Sequence, residues 1–187
     1  MFDRATWEFI NSFSPWLSAV GTILAVFISL HLARRDRTIR LIVHGGIRKM
    51  VNVGQRITDG TDIIMIGVTN VGHRAVTITG IHWMTGTFRQ YTFEQVPGSS
   101  VYSSTLPVKL GDGDEAFFRI PMGQFEQGAE SIIKTIGGCR FPAVLSRSIR
   151  VGVYTSAGGI FTARVDKNLR DWFVKKAKEY NQKLLAS

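Results

Sequence analysis

Apolar residues fall into three regimes along the chain. The first is a continuous run, Pro15–Ala33 (PWLSAVGTILAVFISLHLA), within a stretch from Phe9 that has no Asp, Glu, Lys or Arg. Nineteen helical residues reach about 28 Å at ~1.5 Å each, close to a hydrocarbon core of ~30 Å. Ser14-Pro15 reads as the helix start, because serine caps and proline at the first position lacks only an N–H that would be orphaned. From Arg40 to Val165 the pattern changes to short alternating or apolar bursts separated by Gly, Pro, Asn and Asp. The third regime is a helical stripe, Leu169, Phe173, Ala177, Tyr180 and Leu184, over Asp166–Leu185.

The middle regime predicts seven or eight strands. Arg40–His44 and Ile47–Val53 read as a hairpin about Gly45-Gly46. Thr61–Thr69 is β-branched and apolar on both faces. After the turn Asn70–His73 comes Arg74–Met84, whose apolar phase switches at Gly80 and so predicts a bulge there. Thr87–Val96 suits an edge strand. Val108–Leu110 and Glu115–Pro121 read as a pair about Gly111–Asp114. Arg147–Thr155 and Ile160–Val165 form the clearest hairpin, about Ser156–Gly159. One inserted helix is expected over Gln124–Ile136, with Phe125, Ala129, Ile132, Ile133 and Ile136 on one face and Gly137-Gly138 as its stop.

The expected architecture is mainly β. It comprises an interfacial segment 1–14, a transmembrane helix 15–33, a β-sandwich or small barrel over 34–165, and a C-terminal amphipathic basic helix over 166–187. In the first segment Asp3 can cap a short helix with Trp7, Ile10 and Phe13 as its apolar contacts. The C-terminal helix has three possible seats: its own sheet, the membrane or a partner. Lys176 and Lys183 flank its stripe and can snorkel.

Charge gives the span a direction. The net charge is +9, and residues 34–187 hold 22 Lys/Arg against 12 Asp/Glu. Arg34, Arg35, Arg37 and Arg40 crowd the C-terminal flank, while Arg4 stands alone on the other. By the positive-inside bias the N-terminus lies outside and the domain in the cytoplasm, at the inner membrane. Asp3 and Glu8 do not suit a signal-peptide n-region, so a retained anchor is expected. Gly21, Ala25 and Ser29 recur at four-residue spacing, with Ser18 and Thr22 beside them. Such a face lets spans approach closely, so the expected partners are the lipid bilayer and either a second copy or another membrane protein. The basic charge is not interleaved with stacking aromatics in an RRM, KH or OB pattern, which disfavours nucleic acid.

Motifs for chemistry are sparse. The lone Cys139 offers no disulfide and no CxxC site. His31, His44, His73 and His82 lack ligand spacing, and Asp112, Asp114 and Glu115 (GDGDE) are too few for a calcium loop. There is no GxSxG, P-loop or GxGxxG, and no cofactor is implied.

Two stretches resemble known proteins. PWLSAVGTILAVFISLHLARRDRTIRL is similar to the anchor of many uncharacterised bacterial single-pass membrane proteins, and TDIIMIGVTNVGHRAVTITGI to the strand–Asn-x-Gly–strand corner of immunoglobulin-like sandwiches. The resemblance implies an Ig-like cytoplasmic domain on a single span, and no functional residue. The leading expectation is a non-enzymatic interaction or accessory module. The alternatives are an oligomerising membrane effector or sensor triggered by a ligand, and an enzyme whose site is assembled from scattered polar residues.

Overall fold

A computed structural model of the chain describes residues 4–51, 56, 60–86, 91–97, 103–138 and 142–186, and their side chains except 4–12, 14, 35–37, 91 and 184–186. The chain divides into two units, Met1–Thr38 and Ile39–Ser187.

The first unit is one helix, α1 (Arg4–Arg37). At ~1.5 Å per residue its 34 residues extend about 51 Å. This corrects the expected start at Ser14, because Pro15 lies inside the helix. Proline there removes one N–H and crowds the carbonyl of Asn11, at a cost of about 3 kcal/mol in a helix interior. The separate interfacial helix is therefore replaced by a continuation of α1, and its proposed cap, Asp3, lies outside the described residues.

The second unit has eight strands: β1 (Leu41–Met50), β2 (Thr61–Asn70), β3 (Val76–Thr85), β4 (Tyr91–Gln95), β5 (Val108–Leu110), β6 (Glu115–Pro121), β7 (Arg150–Thr155) and β8 (Ile160–Arg164). With them come α2 (Met122–Gly137), α3 (Pro142–Leu145) and α4 (Lys167–Ala186). One sheet has the order β1-β2-β6. The other runs β4-β3-β7-β8, with β5 also on β3, and every pairing is antiparallel. Ile64, Ile66, Phe118 and Ile120 from the first sheet and Ile78, Ile81, Trp83 and Val153 from the second are buried in one cluster, so the sheets share a core. The β3/β7 register shifts between Ile78 and Gly80, which lets Ile78, Ile81 and Trp83 all reach that core. β2 alternates more than expected: Ile64, Ile66 and Val68 are buried, while Ile63 and Met65 are half-buried on the other face.

Three sequence expectations fail for physical reasons. Gly45-Gly46 is no turn, because β1 passes straight through it, paired with β2 along its whole length. A Cβ on Gly45 would stand 3.1 Å from Val151, and one on Gly46 would overlap the Asp166 carboxylate, so the glycines admit close neighbours. β5 and β6 are not a hairpin either, since β5 pairs with β3 and β6 with β2. Their connection crosses between sheets and is pinned at Asn70. That residue's N–H donates to Asp114 O at 3.0 Å, its O accepts from Gly113 N at 2.9 Å, and its side-chain amide reaches Arg74 O and Gly111 O at 2.9 and 2.8 Å. Third, residues 146–148 form a 3-10 turn ahead of β7, where Ser148 donates to Leu145 O at 2.7 Å and accepts from Gly86 N at 3.0 Å.

The helices cover the core. The predicted face of α2 is buried, and Leu169, Phe173 and Ala177 of α4 are buried against the same cluster. Phe125 is the junction: its ring lies 5.0 Å from Trp83, 5.5 Å from Trp172 and 5.8 Å from Phe173. Gly137 stays helical, and Gly138 ends α2 in right-handed rather than left-handed geometry. The Gly137 carbonyl accepts from Asn181 Nδ2 of α4 at 2.8 Å, and Lys176 pairs with Glu126 at 3.1 Å across the two helices.

Candidate functional site

In α1, Phe13, Trp16, Leu17, Ile23, Phe27 and their neighbours are exposed, and no residue from Pro15 to Arg34 is buried within the chain. Fully burying one such side chain is worth roughly 1.5–3 kcal/mol, so this surface forgoes on the order of 20 kcal/mol. Gly21, Ala25 and Ser29 are exposed, and nothing lies within 4 Å of where a Gly21 Cβ would be. Thr22 donates its hydroxyl to Ser18 O at 2.9 Å, which satisfies the donor inside the helix. Arg34, Arg35 and Arg37 belong to the last turns of α1, with the Arg35 and Arg37 side chains outside the described set. Arg40 sits at the entry to β1, where its carbonyl accepts from Val71 N at 2.9 Å.

In the second unit a cavity of about 360 Å³ opens where β3 lacks a partner. β5 covers Val76–Ile78 and β4 covers Ile81–Thr85, which leaves Thr79 and Gly80 unpaired on that edge. Among the described residues, Gln95, Ser104 and Leu106 also line it, and Glu94 supplies a carboxylate. A Cβ on Gly80 would lie 3.3 Å from Glu94 Oε1 and 3.3 Å from the Tyr154 ring, so both groups converge over this glycine.

His82 lies two residues further along β3, opposite both Glu94 and Gly152 in register. A Gly152 Cβ would overlap its imidazole, and the Tyr154 ring stacks on it with centroids 4.3 Å apart. Both ring nitrogens are buried without a hydrogen-bond partner. Burial holds the His82 pKa below its ordinary value and outweighs the opposing charge of Glu94. The ring is therefore a neutral, packed group at pH 7. The cavity thus offers a carboxylate, hydroxyls and a short open strand edge, which suits a ligand rich in N–H donors or a short extended peptide.

Other candidates are dispersed. His73 Nδ1 contacts Asp112 Oδ2 at 2.8 Å, Asp114 accepts from Gly111 N at 2.7 Å, and Glu115 accepts from Thr69 at 3.1 Å. The three carboxylates of the acidic turn are thus engaged separately. No three metal-ligating side chains gather among the described residues. Cys139 lies outside them. On α4, Tyr180 packs partly buried on the core, and the Leu184 side chain is not among those described. The cavity had no sequence signal, because it depends on where β4 ends and β5 begins.

No protein family model matches the chain, and no curated protein matches it. Among solved structures, it is similar to a crystal structure assigned to the ApaA protein of Bordetella pertussis, at 14% identity and a TM-score of 0.28, covering 68% of this chain and 89% of that one. An X-ray structure of a second structural-genomics target shows 12% identity and a TM-score of 0.24, with 70% and 84% covered.

Proposed function

We propose that the chain is a membrane-anchored, non-enzymatic interaction module. α1 crosses the inner membrane once, and the second unit is presented in the cytoplasm. One observation carries this reading: the apolar segment Pro15–Arg34 has none of its surface buried by the chain. The arginines at its C-terminal end support the orientation. The open face at Gly21, Ala25 and Ser29 supports contact with a second copy or another span.

The presented domain is read as an immunoglobulin-like sandwich. Support comes from β1, β2 and β6 standing where strands A, B and E would, and β4, β3, β7 and β8 where C′, C, F and G would, while β5, paired with β3, departs from that pattern. The helices between β6 and β7 are an addition to it. The described lining of the cavity, with the Glu94 carboxylate beside hydroxyls and an open strand edge, supports the binding reading.

The test is fractionation with alkaline extraction, combined with a topology reporter fused after Ser187. The chain should stay with the membrane through extraction, and the reporter should be active only as a cytoplasmic fusion. Release into the supernatant, or a reporter active outside, would overturn the reading.

A further inference from the structure

A second cavity, of about 250 Å³, lies between the 142–148 segment and the start of α4. Lys167, Arg170 and Asp171 line it from one face of α4, since they are spaced at three and four residues. Arg147 and Ser146 line it from the 3-10 turn opposite. Three cations therefore meet one carboxylate, brought together from the two elements that flank the β7–β8 hairpin. None of the three forms an ion pair among the described residues. Arg170 Nε is buried and lacks a hydrogen-bond partner. The Ser146 hydroxyl is engaged with Ala143 O at 2.9 Å.

Apart from Asp171, the helix does not offset this charge. Its first turn has no acidic residue, although carboxylates are favoured there by the positive end of the helix dipole. Asp166, just before the helix, is ion-paired with Arg48 at 2.7 Å. Lys167, Arg170 and Arg147 thus share one recess beside the first turns of α4.

We propose that this recess binds a phosphate-type anion. Arg147 and Arg170 supply charge-assisted hydrogen bonds, and Lys167 adds a mobile charge at the mouth. The same chemistry serves a free phosphate and a phospholipid headgroup, and the headgroup source alone rests on the membrane reading above.

The test uses the full chain in neutral detergent, titrated calorimetrically with inorganic phosphate. Binding should be saturable. It should weaken about tenfold in Arg170→Gln and in Arg147→Gln, each losing one charged bond, and remain unchanged in Lys109→Gln on β5. In a second arm, native mass spectrometry follows phosphatidylglycerol retained from mixed micelles. Lipid retained by the parent and lost in the arginine variants supports the headgroup source. Phosphate binding without lipid retention supports the free anion. Absence of both, or binding equal in parent and arginine variants, overturns the proposal. Melting curves without phosphate check folding, and if Arg170→Gln unfolds, the exposed Arg147 and Lys167 carry the test through their Gln variants.

Discussion

At the scale of residues, packing at glycine decides more than chain flexibility does. His44 lies over Gly67 and His82 over Gly152, each pair opposite in register on neighbouring strands. The His82 ring is kept neutral by this burial, which gives stability a defined pH dependence. Its folded pKa lies below the ordinary 6.5, so the unfolded chain takes up the proton first as pH falls. The contribution is complete above about 6.5 and is lost as pH drops from there towards the folded value, by at most ~1.4 kcal/mol per pH unit. Melting temperatures measured from about pH 7.5 to 5.5 should fall less steeply in His82→Gln than in the parent. Equal slopes would show that the ring is not shielded.

Elements were legible where one periodicity sufficed. Phe125, Ala129, Ile132, Ile133 and Ile136 are buried on α2, and the β7–β8 hairpin turns at Ser156–Gly159, with Gly158 at φ +77°. Both depend on local spacing and turn chemistry. Gly45-Gly46 carried the same turn signal, but the space they leave is filled by Val151 and Asp166 from distant strands and loops. Gly46→Ala should therefore destabilise the domain by about 1–3 kcal/mol in urea unfolding, since the Asp166 carboxylate must move. A neutral result would mean that Asp166 relocates freely. On α1 the open small-residue face makes a different prediction. Gly21→Leu should lower self-association of α1 in a bilayer reporter by roughly tenfold. Unchanged association would place the contact elsewhere. Both cavities escaped sequence reading for one reason: each is bounded by residues that meet only after the strands and helices are paired.

For the whole molecule, the division at Thr38 separates two kinds of stability. Among the described residues, every buried hydrophobic residue of the core lies at Val43 or beyond. A fragment of residues 39–187 should thus fold alone, melt cooperatively and need no detergent, whereas the full chain should need it. Broad melting or aggregation of the fragment would show that α1 contributes to the stability of the second unit.

The junction of β1 with the start of α4 also sets a timetable. Asp166 N donates to Gly45 O at 2.9 Å, and Asn168 bonds both the N–H and the carbonyl of Ile47 across 121 residues of chain. Closing a loop that long costs about 2 kcal/mol more than closing a ten-residue hairpin. The β7–β8 hairpin should therefore form long before this seam. On loop closure alone, the seam between the first strand and the last helix is expected to be a late contact of the domain.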